Sequence, residues 1–445
     1  MPHTHSYLAQ RKSKCNSPKG TLHFGVRVTT ELPEDSIKIQ GEGGVTNIEG
    51  ERETISNVWK LGYTPIKVQS LKPLLENYPN NEVAIELLQG FQFGFRLGYK
   101  GPRLGGDSKN LKSVLQFPDA AKEKIISEVK LGRIAGPFLN KPISNLRISP
   151  IGIVPKSGGS WRLITHLSYP ENNSVNHFID PYDCSVAYTS LDQVLQEVAR
   201  LGRGTVLAKM DIKSAFRLMI INPGDFDLLG FKFQGNYYID KCLPMGCAIS
   251  CNLFEKFSTF LHWELQRQVG VGTVFHYLDD FLFLGSAGSD ECACLMQGFK
   301  NLCNAIGVPI AQEKTVGPST KVIFLGLEID TIEMVVRIPQ EKVQQLAALL
   351  SAALIKKSLQ LQEIQSLVGS LNFFSKGVPN ARAFNRRFYD ATCGVKKPHH
   401  HVKLSNELKQ DIQMWLRFLF NFNGARLIHE NEWLRISLDI LVMAQ

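Results

Sequence analysis

The chain has 445 residues, which is too many for one compact domain and predicts two to four subdomains. Hydrophobic residues make up 44% of the sequence and charged residues 20%, a balance that excludes global disorder. Lys and Arg number 50 against 41 Asp and Glu, and the resulting net charge of +9 favours an anionic partner without naming one.

Cysteine usage and hydropathy predict the compartment. The nine cysteines are an odd number without paired spacing, which argues against a secreted disulfide scaffold. No signal peptide is recognisable, and no apolar run reaches the ~20 residues that a membrane helix needs. We therefore expect an intracellular protein, cytoplasmic or nuclear, that is neither secreted nor inserted in a membrane.

The N-terminal third divides into two parts. Residues 1–58 are rich in Gly, Ser, Thr, Glu and Lys with weak periodicity, which predicts a flexible leader. Residues 59–146 alternate short apolar runs with glycine-rich loops until Pro118 begins a helix with one apolar face. The residues of that face are Ala121, Ile125, Ile126 and Val129.

Residues 147–335 consist of short β-rich runs broken by helices, which indicates an α+β sheet covered by helices on one face. The predicted strands are a hairpin of 148–154 and 161–167, a buried strand over 206–212, a pair over 274–284, and one strand over 322–329. Helices are predicted over 251–268 and 295–306.

The sequence after Pro339 is predominantly helical. Apolar residues at helical spacing predict two packed helices, and residues 405–420 predict another amphipathic helix. The two stripes are Leu346, Leu349, Leu350 and Leu354, and then Ile364, Leu367, Val368 and Leu371.

Three carboxylates in the sequence suggest a site for divalent metal ions. Asp279 and Asp280 stand between two apolar runs, which predicts a tight hairpin with both acids at its turn. Asp also favours ordinary turns, and that interpretation stays open. Adjacent like charges at the edge of a core nevertheless call for a cation, and Mg²⁺ prefers carboxylate oxygens. Asp211 ends another apolar strand, where Asp often only caps the following helix. Together with the pair it would complete a site for two metals ~3.5–4 Å apart.

Six short motifs resemble those of reverse transcriptases in order and spacing. Three resemble palm motifs: Met210-Asp211-Ile212-Lys213-Ser214-Ala215-Phe216, Leu243-Pro244-Met245-Gly246 and Tyr277-Leu278-Asp279-Asp280. The segment with Val154-Pro155-Lys156 and Trp161-Arg162-Leu163-Ile164 resembles the fingers hairpin. Glu313-Lys314-Thr315 and Phe324-Leu325-Gly326-Leu327 resemble the two motifs that close the palm. The resemblance extends over about residues 65–430.

Finer details are most similar to retrotransposons of the DIRS (tyrosine-recombinase) type, with an ordinary long-terminal-repeat element as the alternative. The segments that carry this similarity are 132–138, 166–170 and 367–372. The resemblance implies a right-hand polymerase fold of fingers, palm and thumb, with an antiparallel palm sheet covered by helices. The implied domains are an extension leading into the fingers (59–146), fingers and palm (147–335), a helical thumb (336–395), and a connection (396–445).

The resemblance also implies an RNA-directed DNA polymerase that adds deoxynucleotides to a primer by two-metal phosphoryl transfer. Asp211, Asp279 and Asp280 would be catalytic and, with the backbone carbonyl of Ile212, would hold two Mg²⁺ or Mn²⁺ ions. The residues expected to contact the nucleotide are Lys156, Arg162, Ile212, Phe216, Met245, Gly246 and Lys314.

Within that set, Lys156 and Arg162 are expected on the triphosphate, and Lys314 as a proton donor to pyrophosphate. Phe216 stands at the steric-gate position, where a ring would exclude a 2′-hydroxyl, although a core aromatic is the alternative. Met245 stands where many family members carry Gln, and its thioether cannot donate the hydrogen bond of an amide.

The expected macromolecular ligand is a primed RNA or DNA template. Its predicted contacts are Phe324, Leu325, Gly326, Arg382, Arg386 and Arg387. The three arginines interleave with Phe384 and Phe388, as in a helix that follows a nucleic-acid backbone, although a solvated helix face is the alternative. Element-encoded proteins are candidate partners.

Residues 436–445 look like the first strand of a ribonuclease H-like domain, cut off. Because Asp439 alone cannot build the carboxylate cluster of such a domain, we expect no intrinsic ribonuclease H activity. Two competing hypotheses remain: a catalytically inactive retroelement relic that at most binds nucleic acid, and a general basic nucleic-acid-binding protein.

Overall fold

The computed structural model describes residues 58–156, 159–424 and 426–428. The predicted leader lies, apart from Val58, outside these residues, and the predicted strand over 436–445 lies outside them too. Within the described part, no helix is both long enough and apolar enough to cross a membrane.

The α-helices are α1 Val68–Leu75, α2 Asn81–Phe93, α3 Lys112–Gln116, α4 Pro118–Lys130, α5 Leu191–Leu201, α6 Ser250–Val269, α7 Glu291–Ile306, α8 Gln340–Ile355, α9 Leu361–Phe374, α10 Arg386–Thr392 and α11 Asn406–Asn421. Short 3₁₀ helices occupy Asn176–Phe178, Ala215–Leu218, Pro223–Leu228, Gln312–Lys314 and Pro379–Asn385.

The strands are β1 Ile134–Phe138, β2 Ile151–Pro155, β3 Trp161–Thr165, β4 Val206–Asp211, β5 Gly230–Phe233, β6 Asn236–Asp240, β7 Thr273–Tyr277, β8 Asp280–Gly285, β9 Val316–Ser319, β10 Lys321–Phe324, β11 Leu327–Asp330, β12 Val335–Arg337, β13 Ser358–Gln360, β14 His401–Lys403 and β15 Arg426–Leu427.

A four-stranded antiparallel sheet in the order β7-β8-β4-β9 lies at the centre. Helices α6 and α7 pack against it, and three fully buried rings, Phe254, Phe257 and Phe299, belong to the core between them. The predicted strands over 206–212 and 274–284 and the predicted helices over 251–268 and 295–306 are confirmed as elements, with ends shifted by a few residues. The predicted sheet covered by helices is therefore confirmed.

Strands β2 and β3 form the predicted hairpin, in which Pro155 pairs with Trp161 beside the tip. Helices α3 and α4 pack against it, and α4 begins at Pro118 as predicted, because the missing N–H of proline is not needed in the first turn. The predicted face of α4 is wrong at Ile126, which is 43% exposed. One residue turns a helix by 100°, so Ile126 points away from the face that buries Ile125.

The single strand predicted over 322–329 is wrong, because the segment folds into the hairpin β10–β11. Leu325 and Gly326 form its two-residue turn with positive φ angles of 47° and 78°. Two positive φ angles give the turn that matches the twist of paired strands. The turn escaped prediction because leucine is an unusual residue in that conformation.

Helices α1 and α2 were not predicted, since the sequence over 59–117 was interpreted as short apolar runs and loops. The Asn80 side chain caps α2 by accepting a hydrogen bond from the Val83 N–H at 3.1 Å. Leu71, Leu87 and Phe91 bury these helices against the same core as the central sheet.

The C-terminal helices α8, α9 and α11 share a second core with β10–β12. The predicted α9 stripe is confirmed, whereas the α8 stripe is wrong at Leu349, which is 58% exposed while Val343 and Ala347 are buried. Trp415 of α11 is fully buried in this core and donates a hydrogen bond to Asn385. The division proposed at residue 396 stays a prediction, although α11 packs directly on α8.

Candidate active site

The β7–β8 hairpin and strand β4 bring the three predicted carboxylates to one edge of the central sheet. Tyr277 pairs with Asp280 across a two-residue turn, and Asp280 lies directly opposite Asp211 of β4. The Ile212 N–H donates a 2.8 Å hydrogen bond to the Asp279 carbonyl. Leu278 holds the turn at a φ of 54°, an unusual value for a bulky residue.

Asp211 is buried and is bound by a lysine. The Lys314 Nζ lies 2.9 Å from both carboxylate oxygens of Asp211, and Lys314 ends the 3₁₀ turn that precedes β9. The Ala311 N–H donates a 2.8 Å hydrogen bond to the Asp211 carbonyl, which ties that turn to the end of β4.

Asp279 and Asp280 lie in different surroundings. Burial and then the negative charge of Asp211 raise the pKa of Asp279. Burial raises the pKa of Asp280 to about 6, although Lys209, whose Nζ lies 3.3 Å from Oδ2, opposes the rise. The other oxygen of Asp280, Oδ1, is buried without a hydrogen-bond partner.

The carboxylate oxygens of these residues are donors that a divalent cation prefers. A hard cation would also reduce the repulsion between crowded, partly desolvated carboxylates. Asp211 and Asp279 line one pocket and repel each other, and Asp280 carries an unpartnered oxygen. Across the described residues, however, no group of three or more His, Cys, Asp or Glu is arranged to hold a metal. The arrangement differs from a closed metal site because Lys314 and Lys209 each bind one of the acids.

The pocket beside these acids joins the hairpin β2–β3 to the central sheet. Its lining includes the predicted residues Lys156, Arg162, Asp211, Ile212, Met245, Asp279 and Lys314. Among the residues that the structure describes, Lys156 and Arg162 form no salt bridge, so their charges are available to an anion. Burial and then the positive charge of Arg162 lower the pKa of Lys156. Cations that repel each other around one cavity favour a polyanionic ligand.

Met245 and Gly246 join the pocket to β3. The Thr165 N–H donates a 2.9 Å hydrogen bond to the Met245 carbonyl. Gly246 has a φ of 116°, and a Cβ built there would lie 2.1 Å from the Thr165 carbonyl oxygen. Only glycine allows so close an approach of the two backbones.

Phe216 does not line the pocket, whereas its neighbour Ala215 does. The half-buried Phe216 ring packs edge-to-face on Phe254 of α6, with 5.8 Å between centroids. Its steric-gate role stays a prediction, and its packing agrees with the alternative of a core aromatic.

Four charged residues of the pocket were missed by the sequence analysis: Lys124, Glu128, Arg217 and Asp240. Arg217 Nη1 lies 2.7 Å from Asp240, and its Nε lies 3.1 Å from Glu128. Arg217 follows the Asp211 motif directly, which was the one available signal, but its partners come from α4 and β6. Such pairing depends on tertiary structure and leaves no local pattern.

The predicted nucleic-acid contacts separate into buried and exposed groups. Phe324 is fully buried in the second core, so its ring is not a contact surface, and Leu325 and Gly326 form the hairpin turn. Arg387 binds the buried carboxylate of Asp411. Arg382 and Arg386 are exposed, and their contact with nucleic acid stays a prediction.

Residues 154–329 match the family model described as "Reverse transcriptase (RNA-dependent DNA polymerase)". Over these residues the chain is similar to reverse transcriptases. The chain is 25% identical over 290 residues to the Gag-Pro-Pol polyprotein of Human T-cell leukemia virus 3 (strain 2026ND), covering 63% of this chain and 18% of that protein. It is 31% identical over 180 residues to Protein P of Duck hepatitis B virus (strain Germany/DHBV-3), covering 38% of this chain and 21% of that protein.

The chain therefore spans about a fifth of the length of these curated relatives. Its fold is similar to that of a foamy viral protease-reverse transcriptase in complex with dsDNA, with a TM-score of 0.56, 20% identity and coverage of 84% of this chain and 75% of that one. The α+β polymerase fold expected from the sequence is thereby confirmed. The residues that match the family model contain β4, the β7–β8 hairpin and all three candidate carboxylates.

Proposed function

We propose that the chain is an RNA-directed DNA polymerase of a retroelement of the DIRS type. The observation that carries the proposal is the distribution of charge in one pocket. Asp211 and Asp279 lie at the sheet edge, while Lys156 and Arg162 approach from the hairpin β2–β3 without carboxylate partners among the described residues. Acids beside unpaired cations are complementary to a nucleoside triphosphate with its metal ions.

In this proposal Asp211 and Asp279 would hold the divalent cations together with the Ile212 carbonyl, and Asp280 would be a further ligand once its ion pair with Lys209 is broken. Mg²⁺ or Mn²⁺ bound there would lower the pKa of the primer 3′-hydroxyl and stabilise the leaving pyrophosphate. Lys156 and Arg162 bind and orient the triphosphate, because lysine supplies a point charge and arginine two parallel donors. Lys314, released from Asp211, donates a proton from Nζ to the pyrophosphate.

Met245, Gly246 and Phe216 would complete the nucleotide site. The loop of Met245 and Gly246, tied to β3 through Thr165, supports the base pair being formed. Phe216 limits the space below the sugar and so excludes the 2′-hydroxyl of a ribonucleotide. This assignment rests on the position of Phe216 in the motif that begins at Met210.

The proposed substrate is a primed template. The foamy viral enzyme was solved with dsDNA and with an RNA/DNA hybrid. We assign residues 147–335 to the fingers and palm and 336–395 to the thumb, where Arg382 and Arg386 contact the template-primer backbone. The eight described cysteines are free thiols, which supports a reducing intracellular compartment.

The test is extension of one DNA primer on an RNA template and on a DNA template of the same sequence, with deoxynucleotides or ribonucleotides. The proposal predicts metal-dependent synthesis on RNA with deoxynucleotides, abolished by Asp211→Asn and retained by the surface control Asp119→Asn. A folded wild-type chain that extends no primer would identify the inactive relic instead.

A further inference from the structure

Helix α4 carries a charged residue into the nucleotide pocket that no motif of the sequence assigns. Lys124 lines the pocket together with Lys156, Arg162 and Lys314. Its side chain is 33% exposed, so its ammonium group is within reach of a ligand in the pocket. We propose that Lys124 is a third triphosphate-binding cation, an inference that rests on the proposed polymerase function.

The position of Lys124 relative to the β2–β3 hairpin is fixed by packing. Ala121 and Ile125 of α4 are buried in one cluster with Ile151 and Ile153 of β2, and Leu163 of β3 packs against that cluster. A helix and a hairpin that share a core move as one body. Lys124 is therefore held in a fixed position relative to the hairpin that carries Arg162.

Lys124 binds Glu128, a carboxylate that has Arg217 as a second partner. Lys124 Nζ lies 2.7 Å from Glu128 Oε1, while Glu128 Oε2 lies 3.1 Å from Nε of the buried Arg217. Burial opposes ionisation of Glu128, but Arg217 and then Lys124 outweigh it and lower the pKa of Glu128. Because Arg217 also pairs with Glu128, this buried carboxylate keeps a cationic partner when Lys124 is replaced.

The electrostatic balance of the pocket indicates what Lys124 is for. Arg217 and Lys124 together balance Asp240 and Glu128, so an anion that attracts Lys124 leaves Glu128 paired with Arg217 and adds Lys124 to the unpaired cations Lys156 and Arg162. Lys124 is among the charges that depress the pKa of Lys156, after burial and Arg162, so these cations repel one another. A ligand with several negative charges relieves that repulsion, whereas a monoanion relieves it only in part.

The test compares Lys124→Gln with Lys124→Arg and with Lys122→Gln, a matched control on the exposed face of α4. Calorimetric titration of the full chain with Mg²⁺-dTTP, Mg²⁺-tripolyphosphate and dTMP measures binding without requiring synthesis. We expect Lys124→Gln to weaken dTTP and tripolyphosphate about five- to tenfold and dTMP less than about twofold. Lys124→Arg and Lys122→Gln should bind like the wild type.

In primer extension the same loss should appear in KM for dTTP, with kcat unchanged. Wild-type affinity of Lys124→Gln for dTTP and tripolyphosphate would overturn the inference, as would an equal loss for dTMP, which indicates a structural role. A wild type that binds dTTP but extends no primer would refute the proposed polymerase activity. The titrations would still show whether Lys124 binds the triphosphate.

Discussion

The Lys314 ammonium lies 2.9 Å from both carboxylate oxygens of Asp211. A lysine is therefore paired with the carboxylate that would ligate the proposed metal. Burial costs Lys314 some of its hydration, yet Asp211 more than compensates and raises the pKa of Lys314. A metal bound at Asp211 would therefore compete with Lys314 for this carboxylate and would release the lysine towards the pocket.

Substitution Lys314→Gln should strengthen Mn²⁺ binding about fivefold, because the competing charge is removed from Asp211. The measurement is electron paramagnetic resonance titration of free Mn²⁺. Lys321→Gln is the matched control, since Lys321 is similarly exposed and lies 2.9 Å from Asp330. Unchanged or weaker Mn²⁺ binding in Lys314→Gln would contradict the competition.

Gly246→Ala should disrupt the junction between the Met245 loop and β3. The new Cβ would meet the Thr165 carbonyl at 2.1 Å, and the backbone would be held at a φ of 116°. We expect a loss of at least about 2 kcal/mol in the free energy of unfolding, measured by urea denaturation, and a loss of primer extension.

The matched control is Gly235→Ala, at a φ of 85° in open space, where only the conformational cost of about 1 kcal/mol applies. Equal loss of unfolding free energy in the two variants would show that the contact with Thr165 does not contribute to the cost of Gly246→Ala.

A pair of histidines, one in α6 and one in β7, makes stability depend on pH. His262 Nδ1 lies 2.9 Å from Nδ1 of His276, whose Nε2 lies 3.1 Å from Glu255. Burial, and then the charge of His276, lower the pKa of His262 to about 4. The unfolded chain therefore binds more protons between pH ~6.5 and 4, so stability is fully present above that window and is lost as pH falls through it.

The wild type should lose free energy of unfolding between pH 7 and pH 4.5, and His262→Gln should make that loss smaller by roughly 2 kcal/mol. This value is reduced because the ring is partly exposed and solvent screens its charge. The measurement is the urea midpoint at pH 7 and at pH 4.5 for both proteins. An identical pH dependence in the variant would show that His262 is not the group responsible.

Arg386 and Arg387 are neighbours, but their substitutions should affect different properties: Arg387→Ala stability, and Arg386→Ala nucleic-acid binding. Arg387 binds the buried Asp411, so Arg387→Ala should cost about 2 kcal/mol of stability by leaving that carboxylate unpaired. Arg386 has an 88% exposed side chain and only a 3.8 Å contact with Asp390, so Arg386→Ala should leave stability unchanged.

Arg386→Ala should instead weaken template-primer binding and lower the slope of log affinity against log salt by about 1. Fluorescence anisotropy at several salt concentrations measures both. A wild-type slope in Arg386→Ala would support the alternative of a solvated helix face.

The sequence predicted the central sheet and its carboxylates because Asp211, Asp279 and Asp280 each interrupt a strongly apolar run. It did not predict the hairpin at Leu325 and Gly326, since a leucine with positive φ carries no turn signal. Ile126 and Leu349 were placed on buried faces, because hydrophobicity alone does not define which side of a helix meets the core.

The ion cluster of the pocket could not have been predicted. Glu128 and Arg217 are separated by 89 residues and meet only in the folded chain, where α4 lies beside the 3₁₀ helix Ala215–Leu218. The roles of Met245 and Phe216 came from the family resemblance, and the structure adds that Ala215, not Phe216, lines the pocket.

The most direct measurement is single-turnover incorporation of dTTP on poly(rA)·oligo(dT) across a Mg²⁺ titration, comparing the wild type with Asp279→Asn. We expect metal-dependent incorporation by the wild type and a loss of at least about 10³-fold in the variant, since one carboxylate of the pair is removed from the metal site. Incorporation by Asp279→Asn at the wild-type rate, or none by a folded wild type, would contradict the proposed polymerase.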